Sequence, residues 1–195
     1  LADAFRIFES DDSAKVAVLW GAGGAFCAGA DLKAVASGER LKRYTVEGDG
    51  PMGPTRMALS KPVIAAVNGA AVGIGVTMQL AMDIRLASET ARFGFVFARR
   101  GIVPEAASSW FLPRLVGPQQ ALEWCFTGRI FDAQEALKGG LVRSVHPAGE
   151  LLAEAQKLAR EIADNTAPVS VALTRHMLWR NSAQPHPMEA HKIDS

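Results

Sequence analysis

The fold is decided by residues 61–83, KPVIAAVNGAAVGIGVTMQLAMD, in which 62–82 carry no charge. This stretch begins with an apolar β-type segment at 63–67, passes through an Asn-Gly turn and a glycine-rich part, and ends in a helix predicted near 75–82. A strand that leads through a glycine turn into a helix leaves backbone N–H groups unpaired at the helix N-terminus. These groups and the helix dipole stabilise negative charge, so we expect a site for an anionic group here.

The same apolar run is long enough to be considered as a membrane span. The Asn68-Gly69 turn and the polar Thr77 and Gln79 argue against this alternative, because a lipid-facing backbone must satisfy its own hydrogen bonds. We therefore expect a buried strand, turn and helix, and no membrane span.

The composition favours a single domain without a nucleic-acid partner. The chain has 195 residues, of which 49% are hydrophobic, and a net charge of +1. Cys27 and Cys125 form no spaced pattern, so we expect a reduced, cytoplasmic compartment. Leu1, Phe5 and Phe8 lie on one face of a predicted helix, which is unlike a signal peptide, and we expect the chain to be truncated at this end.

The order of the predicted elements indicates an α/β fold, with strands mainly in the first half and helices in the second. Pro113 is expected to kink or end the helix that begins at Pro104. Asp132 and Glu135 are typical of a capping box, and the Gly- and charge-rich residues 37–56 predict a loop or lid. Strands are predicted at 15–20, 62–67, 83–88, 92–95 and 141–145, and helices at 75–82, 104–115, 117–126, 132–138, 150–165 and 169–180.

Several familiar catalytic motifs are missing from the sequence. Gly73-Ile74-Gly75 follows a strand, as in a dinucleotide-binding turn, but the third glycine of that motif would fall at Met78, which makes it the minor alternative. No G-x-x-x-x-G-K-[ST] loop and no G-x-S-x-G sequence is found. His186 and His191 are five residues apart and do not share a helical face, so we expect no metal site.

Glu105 is the carboxylate best suited to acid–base chemistry. An acid in the first turn of a helix also complements the helix dipole, and the sequence alone favours that structural role. Beside the apolar residues 102–103 and 106–107, however, the carboxylate would be partly desolvated, which suits it to proton transfer. Asp31 and Asp83 are more readily explained as capping or pairing residues.

Three stretches together resemble the crotonase superfamily, the enoyl-CoA hydratase/isomerase group: AFCAGADL at 25–32, KPVIAAVNGAAVGIG at 61–75 and FTGRIFDAQEALKGGLVRSVHP at 126–147. Members of that family are usually longer at both ends. The resemblance implies a β-β-α spiral over residues 1–116 that holds an acyl-CoA site. It also implies a helical covering or trimerisation region at 117–195 within the same domain, and a homotrimer or dimer of trimers.

The resemblance further implies an oxyanion hole made of backbone amides. In that family two N–H groups bind the thioester oxygen, and the matching residues are Ala30 in the Ala-Gly-Ala sequence and Ile74 in the Gly-Ile-Gly sequence. The carbonyl of Ala28 would bind the adenine amino group, with Asp31 and Gly73 also beside the substrate. Because the donors belong to the main chain, the side chain at position 74 matters little.

Further substrate contacts are predicted, and for each residue a purely structural role is the alternative. The candidate walls of the acyl pocket, for which core packing is the alternative, are Phe93, Phe95, Phe97 and Trp110. Lys33 or Arg56 would bind the CoA phosphates, and a solvated surface position is the alternative for both. No metal or redox cofactor is needed for the chemistry that follows.

The two glutamates of typical hydratases are absent, and their positions hold Thr77 and Phe97, which cannot exchange a proton with water at neutral pH. Instead, residues 104–109 read PEAASS and resemble the P-E-G-x-S-S segment of peroxisomal-type enoyl-CoA delta isomerases, whose glutamate is the lone base. We therefore expect Glu105 to move a proton from the alpha to the gamma carbon of an enoyl thioester. A hydratase that uses Glu105 with a water molecule, and a non-catalytic acyl-CoA-binding scaffold protein, are the alternatives.

Overall fold

The computed structural model describes residues 1–31, 33 and 59–194, so Arg56 and the loop predicted at 37–56 lie outside the described residues. Two short 3₁₀ segments cover Met78–Ala81 and Ala98–Arg100. In chain order the elements are α1 (Ala2–Ser10), β1 (Ala17–Trp20), β2 (Val63–Val67), β3 (Ala70–Val72), α2 (Ile74–Thr77), β4 (Ile84–Ser88), β5 (Arg92–Gly94), α3 (Ser108–Val116), α4 (Pro118–Thr127), β6 (Ile130–Asp132), α5 (Ala133–Lys138), β7 (Ser144–His146), α6 (Leu151–Asn165), α7 (Pro168–Asn181) and α8 (Pro187–Asp194).

The centre of the molecule is a parallel sheet in the order β1-β2-β4-β7. All five residues of β2 are buried, as expected for an inner strand of a parallel sheet covered on both faces. Because side chains alternate along a strand, Ile64 and Ala66 pack against Leu151 and Ala155 of α6, whereas Val63, Ala65 and Val67 face the main core. The α/β fold is confirmed.

A second, smaller sheet has the order β3-β5-β6, with β3 parallel and β6 antiparallel to β5. Within the region 117–195, β7 overlaps the strand predicted at 141–145 and joins the first sheet, whereas β6 was not predicted and joins the small sheet. β3 was not predicted, since its sequence Ala-Ala-Val lies inside the glycine-rich stretch and carries only one β-branched residue.

The helix predicted from Pro104 begins instead at Ser108. Ala106 and Ala107 have positive φ angles of 56° and 54°, which a right-handed helix does not allow, so residues 104–107 form a turn before α3. Pro113 lies inside α3 and does not end it, because the helix continues to Val116. The first half of the capping box is confirmed: Asp132 accepts the amide N–H of Glu135 at 2.8 Å.

The apolar run at 62–82 forms parts of both sheets and the short α2, rather than one long helix. Within the described part of the chain, none of the helices combines the length and apolar character needed to cross a lipid bilayer.

Asp83 joins α7 to the central sheet, which confirms its predicted pairing role. Its carboxylate accepts the amide N–H of Val63 at 2.9 Å and the indole N–H of Trp179 at 3.0 Å. It also forms an ion pair with Arg175, whose Nε lies 2.9 Å from Oδ1. Because Arg175 and Asp83 are both largely buried, each depends on the other to offset the loss of hydration.

Replacement of Asp83 by alanine is expected to lower the free energy of unfolding by about 3 kcal/mol, because it leaves the Arg175 guanidinium without a counter-ion and removes two further hydrogen bonds. Urea unfolding of the variant and of wild type measures this. Asp164→Ala, which removes an exposed carboxylate from α6, is the matched control and should change the stability little. Equal stability of the two variants would contradict this account of Asp83.

Glu135 accepts hydrogen bonds from Arg129 and from Trp124 Nε1, the latter at 2.7 Å. The Arg129 contact holds the pKa of Glu135 below its ordinary value. Since the pKa is lower in the folded state, this contact stabilises the fold at neutral pH and is lost as the pH falls below the unfolded value of about 4.3.

The variant Glu135→Gln is therefore expected to be less stable than wild type near neutral pH, and the difference in free energy of unfolding should shrink as the medium is acidified. Urea unfolding across a pH series measures this difference. A gap that stays constant down to about pH 3 would show that Glu135 acts through packing and not through its charge.

Candidate active site

The segment 26–30 runs beside β3 and ends next to α2. The amides of Phe26 and Cys27 donate to the carbonyl of Ala70 at 3.1 and 2.9 Å, and the amide of Val72 donates back to the carbonyl of Cys27 at 3.0 Å. This pairing continues the small sheet by one bridge. It brings the predicted Ala-Gly-Ala sequence to the turn from which α2 begins.

The two backbone segments approach so closely that glycine is required. A Cβ atom at Gly75 would lie 1.9 Å from the carbonyl oxygen of Cys27, far inside van der Waals contact. Gly29 has a φ of 110° and its added Cβ would lie 3.3 Å from the carbonyl oxygen of Val72. Gly73 has a φ of 58° and faces the Cα of Gly29. The glycine-rich stretch is therefore a packing contact between two loops as well as a turn.

The amides predicted to form the oxyanion hole are available at this contact. The Gly73 amide is used, since it donates to the carbonyl of Gly94 at 3.1 Å. The amides of Ile74 and Ala30, in contrast, donate no hydrogen bond within residues 1–31, 33 and 59–194. Ala28 and Ala30 are both exposed, so this part of the backbone is open to a ligand.

The stabilising effect of the α2 helix dipole is smaller than the sequence suggested. α2 contains only four residues, Ile74–Thr77, before the chain tightens into the 3₁₀ segment Met78–Ala81. A single turn sums few peptide dipoles, so a negatively charged oxygen bound here would be stabilised by direct hydrogen bonds from the amides rather than by a macrodipole.

Glu105 contacts α2 directly. The hydroxyl of Thr77 donates to Glu105 Oε1 at 2.7 Å, and Thr77 is the last residue of α2, one turn after Ile74. Glu105 lies in the turn before α3 and is not in a first helical turn, so the alternative role at the α3 dipole does not apply. The turn that offers the Ile74 amide therefore also contacts the candidate base.

The apolar enclosure predicted around Glu105 is not formed by its neighbours in sequence. Ile102 and Val103 are 58% and 80% exposed, and Glu105 itself is exposed. The cause is the same turn that delays α3, since residues 102–105 have no regular structure that would pack them onto the core. Any desolvation of Glu105 must come from a ligand or from a surface beyond these residues.

The aromatic side chains predicted to line the acyl pocket all take part in packing contacts. Phe93 and Phe95 are fully buried, with ring centroids 5.7 and 6.4 Å from that of Phe131, and Phe97 belongs to the same core. Trp110 lies outside it and packs on Phe111 and Trp179, with centroid distances of 4.8 and 6.0 Å. These contacts fit the packing alternatives, and the acyl-pocket role of Phe97 and Trp110 stays a prediction.

Asp31 and Lys33 lie at the open end of the segment 26–30. Asp31 accepts the amide N–H of Lys33 at 2.9 Å, as predicted for a capping residue, and Lys33 is exposed. Among the described residues, no group of three or more His, Cys, Asp or Glu side chains is arranged to hold a metal ion.

Thr77 is the residue whose importance the sequence did not reveal. The sequence marks it as a polar residue in an apolar run and as the residue at a position where typical hydratases have a glutamate. Thr77 follows Ile74 by three residues, which places the two residues on one face of a helical turn. This spacing is the only sequence signal that Thr77 lies beside the Ile74 amide. Its partner is 28 positions away, which no local pattern could identify.

The comparisons with known proteins identify the family of the chain. Residues 1–193 match the sequence profile of the family described as Enoyl-CoA hydratase/isomerase. The chain belongs to this family. The resemblance to the crotonase superfamily is thereby confirmed.

Among its relatives, the chain is 42% identical to an enoyl-CoA hydratase of Alternaria alternata, over 96% of this chain and 63% of that protein. It is 40% identical to a carnitinyl-CoA dehydratase of Proteus mirabilis, over 99% of this chain and 74% of that protein. A crystal structure of a probable enoyl-CoA hydratase/isomerase from Mycobacterium abscessus superposes with a TM-score of 0.88 at 38% identity, covering 100% of this chain and 75% of that one. The chain thus spans between 63% and 75% of the lengths of these three proteins.

Replacement of Gly75 by alanine tests the contact between the two loops. In an ordinary helix this change would stabilise by up to about 1 kcal/mol, but here the added methyl group meets the Cys27 carbonyl, so we expect a loss of roughly 2 kcal/mol or more in the free energy of unfolding. Gly149→Ala, where a Cβ meets nothing within 4 Å, is the matched control. A Gly75→Ala variant as stable as the control would refute the close approach.

Proposed function

We propose that the chain binds an acyl-CoA thioester and moves a proton on it, with Glu105 as the base and the amides of Ala30 and Ile74 as the oxyanion hole. The observation that supports this most directly is the 2.7 Å hydrogen bond from Thr77 to Glu105. It links the only carboxylate of the PEAASS segment to the turn whose first amide is unpaired among the described residues. Membership of the enoyl-CoA hydratase/isomerase family supports the substrate class.

The proposed reaction is a shift of a carbon–carbon double bond. The carboxylate of Glu105 removes a proton from the alpha carbon of a 3-enoyl thioester, and the electron pair moves toward the carbonyl oxygen. The Ala30 and Ile74 amides bind the resulting negatively charged oxygen, which lowers the energy of the dienolate. The protonated Glu105 then returns the proton to the gamma carbon, leaving the double bond between the alpha and beta carbons.

The addition of water to a 2-enoyl thioester is the second candidate, because relatives of the chain are named as an enoyl-CoA hydratase and a carnitinyl-CoA dehydratase. In that reaction Glu105 would activate a water molecule and a proton would be delivered to the alpha carbon. We favour isomerisation, since one carboxylate can accept and return the same proton. Thr77 and Phe97 offer no second acid or base.

The remaining features of the proposal concern binding and assembly. The carbonyl of Ala28 would bind the adenine amino group, and Lys33 or Arg56 the phosphates. The proposed reaction moves only protons and needs no metal or redox cofactor.

We also propose a homotrimer or dimer of trimers, supported by the exposed apolar side chains of α7, Val169, Leu173 and Leu178. The two unpaired cysteines favour a cytoplasmic location.

The variant Glu105→Gln is expected to lower kcat for isomerisation of a 3-enoyl-CoA by about 100- to 10,000-fold, because the amide cannot accept the alpha proton. KM should change only a few-fold, since the amide keeps the size and shape of the side chain. Glu161→Gln, which neutralises an exposed carboxylate on α6, is the matched control and should keep wild-type kinetics.

The same preparation of wild type should be assayed for hydration of a 2-enoyl-CoA. If wild type hydrates faster than it isomerises, and Glu105→Gln loses the hydration activity, hydration of a 2-enoyl-CoA replaces isomerisation as the favoured reaction. Full activity of Glu105→Gln would refute the role of Glu105. Binding of acyl-CoA by wild type with no turnover of either substrate would point to the non-catalytic scaffold.

A further inference from the structure

The hydroxyl group of Thr77 lies near three hydrogen-bond acceptors but can donate to only one of them at a time. Its Oγ1 lies 2.7 Å from Glu105 Oε1 and 3.4 Å from the carbonyl oxygens of both Gly73 and Ile74. A threonine hydroxyl carries one proton. The shortest of the three contacts is the one to the carboxylate, so the proton is directed to Glu105 and the bond is charge-assisted when that group is ionised.

The two partners of this hydrogen bond differ in their freedom to move. Thr77 is fully buried and belongs to α2, which the contact at Gly75 fixes against the segment 26–30. Glu105 is exposed, and no other hydrogen bond or ion pair of its carboxylate is found in the described part of the chain. The buried Thr77 hydroxyl therefore determines the position of the exposed Glu105 carboxylate.

The backbone of Glu105 is held separately from its side chain. The carbonyl of Glu105 accepts the amide N–H of Ser108 at 3.1 Å, and the next two residues, Ala106 and Ala107, have left-handed backbone angles. These features fix where the side chain begins. They leave its three rotatable bonds free, so without Thr77 the carboxylate would sample many rotamers.

We propose that Thr77 is the positioning residue of this site: it holds Oε1 of Glu105 against α2 and leaves Oε2 as the oxygen that takes and returns the proton. This inference rests on the proposed role of Glu105 as the base. Since Oε1 is held through a buried side chain, Oε2 stays on one side of the bound thioester. Removal of the proton at the alpha carbon and its return at the gamma carbon therefore take place on the same face.

Replacement of Thr77 by valine keeps the shape of the side chain and removes the hydroxyl. We expect kcat for the reaction that wild type catalyses to fall about 10- to 100-fold with KM changed less than about three-fold, because the base is present but poorly oriented. Thr77→Ser, which keeps the hydroxyl, is expected to restore kcat to within about three-fold of wild type. Thr166→Val, which removes a hydroxyl bonded to the carbonyl of Ile162 at the far end of α6, is the matched control.

A double-mutant cycle separates positioning from a purely structural role. In the Glu105→Gln background, Thr77→Val should have no further effect on the residual rate, since no ionised carboxylate remains to be held. A structural role would lower the rate by the same factor in both backgrounds. If the valine variant does not fold, Thr77→Ala takes its place in the cycle.

The outcomes also distinguish the positioning role of Thr77 from the proposed role of Glu105 as the base. Wild-type kcat in Thr77→Val, or a serine variant as slow as the valine variant, would overturn the positioning role, while loss of activity in Glu105→Gln would still support the base. Full activity in Glu105→Gln would overturn both.

Discussion

The site depends on one close contact, in which the backbone at Gly73 and Gly75 lies against the backbone of the segment 26–30. No side chain fits between them at Gly75, since a methyl group there would lie 1.9 Å from the Cys27 carbonyl oxygen. The small sheet holds both sides of the contact, because β3 leads directly into Gly73 and the segment 26–30 pairs with β3 through Cys27. A protein that presents main-chain amides to a ligand has to hold them rigidly, and here the close packing provides that rigidity.

The same contact connects the amides to the acid–base group. α2 begins at Ile74, whose amide is unpaired among the described residues, and ends at Thr77, whose hydroxyl binds Glu105. A single helical turn thus joins both parts of the proposed chemistry. Under the proposed function, Glu105 would act from another loop beside Thr77, which holds the position of one of the two glutamates of typical hydratases. Because the surroundings of Glu105 are exposed, a bound substrate or an assembled oligomer would have to exclude water from the carboxylate.

The sequence predicted the parts of the fold that are strongly patterned. β2 is apolar and rich in β-branched residues, β4 directly follows Asp83 at the end of the predicted helix, α6 and α7 have clear helical character, and Asp132 is a strong N-cap. All of these were predicted near their observed positions. β3 was missed because three small residues inside a glycine-rich stretch carry little strand signal. The start of α3 was misplaced because nothing in the sequence marks Ala106 and Ala107 as left-handed. The hydrogen bond between Thr77 and Glu105 depends on the tertiary fold and had no local signal.

The central claim is that backbone amides polarise a thioester carbonyl, and vibrational spectroscopy tests it most directly. The carbonyl stretch of an acyl-CoA carrying a ¹³C label at the thioester carbon can be measured by infrared difference spectra, free in water and bound to the protein. We predict a clear shift to lower wavenumber on binding, because two hydrogen bonds weaken the carbonyl double bond. An unchanged frequency for the fully bound thioester would contradict the account.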